Sequence, residues 1–189
     1  YKLADEVKPD LIMATDPDSD RIAVAIPAAG GYRKFSGNEM GCLLLQYILR
    51  AMKDAGKLPH DPVAVKSVVS TPLADRVAAA YGCKMRTVLT GFKYIGGVIL
   101  ELEQAGHADD FVLGFEESCG YLKGDYARDK DAVVTAMLIA EMAASSKLAG
   151  RTLADEMDAL YAQYGCFAAG QTNIVFTSDE QKAACMALL

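Results

Sequence analysis

Residues 84–115, KMRTVLTGFKYIGGVILELEQAGHADDFVLGF, predict a strand, a helix and a second strand in succession. The segments at 84–89 and 111–115 are short and bounded by turn residues, as strands are. Between them, 91–104 predicts a helix that Gly106 ends. Strands joined by one crossover helix are expected to run parallel in the same sheet. This stretch therefore predicts an α/β fold.

The alternation of strand and helix extends to both sides of this stretch. Residues 63–69 predict a strand, and Ser70-Thr71-Pro72 offers a cap and a first-turn proline for a helix ending at Gly82. Ser36 and Glu39 have the spacing of a capping box at the start of a helix to about residue 53. Further helices are expected at 129–145, at 152–164 and from 178 or 179, and further strands at 11–15, 22–26, 32–35 and 171–176. The expected fold is α/β, a mixed, mostly parallel sheet flanked by helices, with parts of neighbouring domains.

The composition bounds the functional classes. With 189 residues and 52% hydrophobic side chains, the chain is long enough to bury a core. A net charge of −6 argues against a nucleic-acid surface, which would need a basic stripe. No apolar run reaches the roughly 18 residues of a membrane-spanning helix. The five cysteines are widely spaced without a C-x-x-C motif, so we expect reduced thiols in a cytoplasmic protein. From the charge and the apolar runs we expect neither a nucleic-acid nor a membrane partner.

Three aspartates at alternate positions, Asp16, Asp18 and Asp20, lie between two predicted strands in the sequence D-P-D-S-D-R. Such closely spaced carboxylates repel each other unless a cation neutralises them, and carboxylate oxygens are ligands that Mg²⁺ accepts. Loops at strand ends of α/β sheets are also common ligand sites. We therefore predict a magnesium site here, with Arg21 holding a phosphate or bracing one carboxylate. A solvated acidic turn is the alternative.

Two other kinds of aspartate loop can be compared with this one. An EF-hand starting at Asp16 would need Gly at its sixth position and Glu at its twelfth, where this chain has Arg21 and Pro27. That comparison excludes an EF-hand. A haloacid-dehalogenase-type phosphatase also places D-x-D after a strand, with Asp16 as nucleophile. This alternative stays open, although that family prefers Thr or Val at the position of Asp20.

A second polar segment is Thr90-Gly91-Phe92-Lys93, at the start of a predicted helix. The free N–H groups of a helix N-terminus favour an anion at Thr90 and Gly91. Lys93 lies in the first turn, where the helix dipole disfavours a cation. This misfit indicates a role of Lys93 toward a phosphate or in proton transfer, with an ordinary surface lysine as the alternative.

Two more segments follow the last of these strands. The loop G-F-E-E-S-C-G-Y contains Glu116 and Ser118, whose oxygens can accept from and donate to sugar hydroxyls. In the segment R-D-K-D, Arg128 and Lys130 are available for a phosphate. A polar loop and a solvated first helical turn are the alternatives.

Taken together, these segments resemble one family, the α-D-phosphohexomutases that include phosphoglucomutase and phosphomannomutase. D-P-D-S-D-R is similar to the magnesium loop of that family, and T-G-F-K-Y-I-G to the segment of its active-site lysine. G-F-E-E-S-C-G-Y resembles its sugar-binding loop, and R-D-K-D-A the basic segment after it. The four motifs occur in the order of the family over residues 10–135. Gly120 stands where a mannomutase-type loop has His, so the resemblance favours glucose and leaves mannose open.

The resemblance implies a domain organisation. Family members have four domains, so residues 1–35 would be the end of domain 2 with the metal loop, 36–165 domain 3, which binds the sugar, and 166–189 the truncated start of domain 4. The sequence holds no T-A-S-H-N-P-like phosphoserine loop and no R-x-S-G-T-E-like phosphate loop. The chain alone is therefore expected to be inactive and to depend on domains 1 and 4 of the same protein.

The resemblance also implies a reaction and a role for each motif. The parent enzyme would interconvert hexose 1-phosphate and hexose 6-phosphate through a phosphoserine and a hexose 1,6-bisphosphate intermediate. Mg²⁺ would be bound by the three aspartates, and Arg21 would contact the phosphoserine. Lys93 would transfer a proton, and the substrate would be bound by Thr90, Gly91, Glu116, Ser118, Arg128 and Lys130. A non-catalytic domain that binds a sugar phosphate or a metal is a further alternative.

Overall fold

The computed structural model describes residues 1–168, 170 and 175–188. The chain begins with a short helix, α1 (Lys2–Val7), followed by three strands, β1 (Ile12–Thr15), β2 (Ile22–Ala28) and β3 (Gly31–Phe35). These strands form an antiparallel sheet in the order β1-β2-β3. Thr15 pairs with Ile22, so the acidic segment between them is the turn of a hairpin.

A second sheet contains four strands in the order β5-β4-β6-β7. Its strands are β4 (Val63–Ser67), β5 (Lys84–Val88), β6 (Phe111–Glu116) and β7 (Gly120–Leu122). β4 is parallel to both β5 and β6, whereas β7 pairs antiparallel with β6. The prediction of a mixed, mostly parallel sheet is confirmed for this part of the chain.

The helices are α2 (Gly37–Asp54), α3 (Leu73–Ala80), α4 (Phe92–Gln104), α5 (Ala132–Leu148), α6 (Leu153–Tyr164) and α7 (Asp179–Met186). A short 3₁₀ helix at Ala108–Asp110 precedes β6. α2 begins as predicted, because the side chains of Ser36 and Glu39 cap each other's backbone N–H groups. Helices cover both faces of the second sheet, so its central strand β4 is buried at every position.

Two apolar clusters form the core. On one face of β4, Val63 and Val65 pack with Phe92, Ile95 and Ile99 of α4. On the other face, Ala64 belongs to a larger cluster that also contains residues of α2, α3, α5 and α6. Alternate side chains of a strand point to opposite faces, which explains this division. The larger cluster also includes Ile22, Val24 and Phe35 of the first sheet, so both sheets share one core.

Several sequence predictions need correction. The loop at Asp16 to Arg21 is the turn of an antiparallel hairpin, so the argument from strand-end loops of α/β sheets does not apply to it. β7 was predicted as loop, because three residues are too few to show a strand pattern. The helix predicted at 129–145 runs from Ala132 to Leu148, with Asp131 as its N-cap. The strand predicted at 171–176 falls mostly outside the described residues.

Within the described ranges, no single helix combines the length and the apolar character needed to cross a membrane. The helices Ala132–Leu148 and Leu153–Tyr164 meet those criteria only when taken together across an 86° bend.

Candidate functional site

The acidic hairpin turn is organised by Arg21. The Oδ1 atom of Asp16 accepts a hydrogen bond from the backbone N–H of Arg21 at 3.1 Å, and its Oδ2 accepts one from the guanidinium Nε at 2.8 Å. The backbone N–H of Arg21, supported by its guanidinium, lowers the pKa of Asp16 to about 2. Arg21 thus braces one carboxylate, which is one of the two roles predicted from the sequence.

The three aspartates of the turn converge. One carboxylate oxygen from each of Asp16, Asp18 and Asp20 lies within 4.8 Å of the others. The Oδ1 atom of Asp20 is buried and accepts no hydrogen bond from the described residues, with the Nε of Arg21 at 3.5 Å. A buried carboxylate oxygen without a donor is costly unless a cation approaches it. Three carboxylates, one of them with this buried oxygen, fit a Mg²⁺ ion, which would keep water or phosphate at its other positions.

Lys130 connects the acidic turn with the second sheet. Its Nζ lies 2.9 Å from Oδ2 of Asp20 and 2.7 Å from Oδ1 of Asp129, and its side chain is only 15% exposed. The same Nζ lies 5.3 Å from the ring centroid of Phe92, the residue before Lys93. Burial acts to lower the pKa of Lys130, but hydrogen bonds to the two aspartates outweigh it and raise that pKa. Lys130 is therefore a cation in this arrangement.

Gly120 makes room for the stem of Lys130. A Cβ atom at residue 120 would lie 2.2 Å from Cδ of Lys130, closer than carbon atoms can approach. The backbone of Gly120 also forms an isolated antiparallel bridge with Arg21, and the N–H of Ile22 donates to the carbonyl of Cys119 at 3.1 Å. The acidic turn and the predicted sugar loop are thus adjacent along their backbones.

The predicted sugar loop is also joined to the start of α4. The Oε1 atom of Glu116 accepts a hydrogen bond from the N–H of Gly91 at 2.8 Å. Gly91 has a φ of 120°, a left-handed value that favours glycine. Glu116 is 6% exposed, whereas Thr90 and Ser118 are exposed. The motifs that contain Gly91 and Glu116 are therefore in direct contact.

Two predicted site residues, Lys93 and Arg128, contact residues that were not predicted for the site. Lys93 is exposed and its Nζ lies 5.0 Å from the ring centroid of Tyr94, its own neighbour in α4. The guanidinium of Arg128 contacts Glu103 and donates to the carbonyl of Asp125 at 2.5 Å. None of these contacts joins Lys93 or Arg128 to another predicted site residue. Arg128 fastens its loop to α4 in this structure.

Sequence reasoning missed Asp129, Phe92 and Ser67. Asp129 and Phe92 lie next to predicted site residues in the sequence. Only their contacts with Lys130 in the structure show that they belong to the site. Ser67 donates a hydrogen bond to Oε2 of Glu117 at 2.8 Å, across 50 positions of sequence. That contact follows from the parallel pairing of β4 with β6, which no local pattern reveals.

An apolar cavity of about 370 Å³ lies elsewhere, between Leu11 and Ile26 on one side and Ala140 and Ala144 of α5 on the other. Its lining includes none of the predicted site residues. Convergent polar groups distinguish a catalytic site from an apolar gap, so the candidate site is the polar cluster around Lys130.

Comparison with known proteins identifies related sequences. The sequence model described as "Phosphoglucomutase/phosphomannomutase, alpha/beta/alpha domain III" matches residues 36–164. Phosphoglucomutase of Staphylococcus aureus strain N315 is 38% identical over 165 residues, which are 87% of this chain and 29% of that relative. The protein of strain USA300 is 37% identical over the same length. The chain thus spans about 29% of the length of the curated relatives it matches.

Solved structures with a similar fold have related names. A putative phosphomannomutase from Thermus thermophilus is 27% identical, with a TM-score of 0.66, and the match covers 87% of this chain and 33% of that one. A variant of N-acetylphosphoglucosamine mutase from Aspergillus fumigatus, in complex with glucose 1,6-bisphosphate, is 17% identical, with a TM-score of 0.55 and coverage of 80% and 32%. At that identity the second likeness concerns the fold alone.

Proposed function

Because the chain belongs to the phosphoglucomutase/phosphomannomutase family, we propose that it provides the metal loop and the sugar-binding domain of a phosphohexomutase. The observation that carries this proposal is the position of Lys130, which contacts Asp20 of the metal loop, Gly120 of the sugar loop and Phe92 at the start of α4. Motifs that are far apart in sequence thereby form one cluster. Residues 1–35 would belong to domain 2, 36–165 to domain 3 and 166–189 to domain 4.

In the proposed reaction, a phosphoserine of another domain gives its phosphoryl group to a hydroxyl of a hexose phosphate. The P–O bond to serine breaks, a P–O bond to the sugar oxygen forms, and the proton of that hydroxyl passes by way of Lys93 to the released serine oxygen. The resulting hexose 1,6-bisphosphate turns round, and its other phosphate returns to the serine. When bound at the three aspartates, Mg²⁺ supplies charge neutralisation for the transferring phosphoryl oxygens.

The residues of this chain would bind and orient the sugar phosphate. Glu116 and Ser118 would bind sugar hydroxyls, since a carboxylate accepts and a hydroxyl both donates and accepts. Lys130 would contact a phosphate of the bisphosphorylated sugar together with Thr90. Gly91, whose N–H is bound by Glu116, would let the backbone at the start of α4 come close to the substrate.

Three further residues have proposed roles that do not depend on the contacts of Lys130. Arg21 would contact the phosphoserine with the guanidinium nitrogens that its bond to Asp16 leaves available. Lys93 is proposed to transfer the proton, because it is exposed in the first turn of α4. Arg128 would bind substrate only after leaving Glu103.

We propose glucose phosphates as the substrates, with mannose phosphates as the second candidates. The curated relatives named above are phosphoglucomutases, whereas the Thermus protein is named a putative phosphomannomutase. Domains 1 and 4 of the same protein would be the partners of this chain, and its free thiols are in keeping with the cytoplasm.

The haloacid-dehalogenase-type phosphatase is not favoured. Its nucleophile would be Asp16, but both carboxylate oxygens of Asp16 accept hydrogen bonds from Arg21. The family match over 36–164 also points away from it. A non-catalytic sugar-phosphate-binding domain would share the cluster and would differ only in lacking turnover in the complete protein.

The test compares this chain with the full-length protein that contains it. Glucose 1-phosphate is supplied with Mg²⁺ and a trace of glucose 1,6-bisphosphate, and the appearance of glucose 6-phosphate and of free phosphate is followed. We expect mutase turnover from the full-length protein and neither product from the chain alone. Free phosphate released by the chain, and lost in Asp16→Asn, would instead establish a phosphatase. No turnover by the full-length protein would favour a binding domain.

A further inference from the structure

A pair of buried serines lies behind the turn that joins β6 to β7. Ser67, the last residue of β4, is fully buried, and its Oγ donates to Oε2 of Glu117 at 2.8 Å. The same Oγ lies 2.8 Å from Oγ of Ser70, which is 4% exposed. The loop after β4 and the turn after β6 are therefore connected through side chains.

The direction of the protons in this chain of hydrogen bonds follows from the groups involved. A hydroxyl has one proton to donate, and a carboxylate can only accept. Since Ser67 donates to Glu117, the contact between the two serines must be a donation from Ser70 to Ser67. Removal of the Ser67 hydroxyl would break both bonds and leave a buried donor without its acceptor.

The backbone of Glu117 is held as closely as its side chain. Its carbonyl oxygen packs against Gly37, the first residue of α2, where a Cβ atom would lie only 2.1 Å away. The hydroxyl of Tyr121 donates to the carbonyl of Gly37 at 3.2 Å, on the other side of the turn. The start of α2 and the serine pair thus fix the turn from two directions.

This fixed turn contains a strained residue. Cys119 has a φ of 69°, a left-handed value that is unfavourable for a residue other than glycine. Such a conformation persists only where its surroundings determine it. Glu117 and Glu116 are anchored on different neighbouring loops, one at Ser67 and the other at Gly91. The exposed Ser118 is held between Glu117 and the strained residue.

We propose that Ser67, Ser70 and Glu117 are positioning residues for sugar binding. They hold the turn 116–120 in the strained conformation that places Glu116 and Ser118 toward the sugar hydroxyls, without touching the sugar themselves. This inference rests on the proposed function in so far as the ligand is a hexose phosphate. The anchoring of the turn itself can be measured without any ligand.

The binding test uses the full-length protein with Mg²⁺ and glucose 1,6-bisphosphate, titrated by calorimetry. Ser67→Ala and Glu117→Ala should each weaken binding about tenfold, and the double variant should be no weaker than either, because the two side chains act as one unit. Glu117→Gln keeps an acceptor for Ser67 and should bind within about twofold of the wild type.

A matched control is available in the same chain. Ser146 is another buried serine, and its Oγ donates to Oε1 of Glu156 at 3.0 Å, between α5 and α6. Ser146→Ala removes the same kind of bond outside the cluster and should leave sugar binding unchanged. Equal binding by Ser67→Ala and Ser146→Ala would overturn the inference.

The ligand-free test measures the alkylation rate of Cys119, which is half-buried within the turn. Peptide mass spectrometry separates it from Cys166, an exposed thiol that serves as an internal reference. Release of the turn in Ser67→Ala should speed alkylation of Cys119 relative to Cys166 at least fivefold, and Ser146→Ala should not. An unchanged ratio would overturn the inference whatever the ligand. A changed ratio in a protein that binds no hexose phosphate would support the anchoring of the turn and refute the proposed function instead.

Discussion

Replacement of Lys130 by methionine tests the contact that joins the metal loop to the sugar loop. Lys130→Met keeps the apolar stem beside Gly120 and Phe92 but removes the charge that lies 2.9 Å from Asp20. Asp20 is 27% exposed and already has one carboxylate oxygen without a hydrogen bond from the described residues. Asp129 is 71% exposed, so water can replace the lysine there.

The expected cost therefore comes mainly from Asp20. A hydrogen bond between charged, largely buried groups contributes about 1.5–3 kcal/mol, so the free energy of unfolding without metal should fall by about 2 kcal/mol. Urea denaturation followed by circular dichroism measures this. Mg²⁺ should recover more stability in Lys130→Met than in the wild type, because the ion no longer competes with an ammonium group for Asp20.

Lys147→Met is the matched control. Lys147 forms an ion pair of 2.6 Å with Asp10, but the two side chains are 67% and 73% exposed. Exposed pairs contribute at most about 1 kcal/mol, so this variant should be nearly as stable as the wild type. Equal losses for Lys130→Met and Lys147→Met, or a Mg²⁺ effect of the same size in both, would refute the reasoning.

Three other predictions concern the same region and the core. Gly120→Ala should push the flexible stem of Lys130 away from Asp20 with little change in stability. Calorimetry should then show weaker binding of glucose 1,6-bisphosphate. Unchanged binding would contradict the packing described at Gly120. The pKa of Asp16 is lowered from 3.8 to about 2 in the folded state, so the contribution of Asp16 to stability is complete above pH 3.8 and is lost as the pH falls through 2. A carboxyl NMR titration should therefore show Asp16 ionised at pH 3. A titration midpoint near pH 4 would contradict this. Burial raises the pKa of Cys42 and of Cys83 to about 12, so at pH 8 these thiols should resist alkylation while Cys166 reacts, and comparable rates would show that the core opens.

Local sequence rules predicted the elements well and their contacts poorly. The capping box at Ser36 fixed the start of α2, because its two hydrogen bonds involve residues three positions apart. β7 was missed because its formation depends on antiparallel pairing with β6, which gives Tyr121 and Leu122 their buried places. Such pairing is a tertiary effect that outweighs local preference.

In the candidate site, too, local spacing could be predicted from the sequence and long-range contacts could not. The three aspartates are alternate residues of one turn, so their convergence could be predicted from spacing alone. The contact of Lys130 with Asp20 spans two motifs that are separated by 110 positions, and the sequence assigned both without showing that they meet. The sequence showed that Arg128 is charged, but not that it contacts Glu103 near the C-terminal end of α4.

The binding position of a divalent cation tests the assignment of the three aspartates as metal ligands. Mn²⁺ can replace Mg²⁺ at oxygen sites, and its unpaired electrons broaden the NMR signals of nearby amides. We predict selective broadening for residues 16–21 and for Gly120 and Lys130, and its loss in Asp18→Ala. Broadening spread over the acidic surface, or retained at full strength in Asp18→Ala, would contradict the central claim that these three aspartates hold the metal beside the sugar loop.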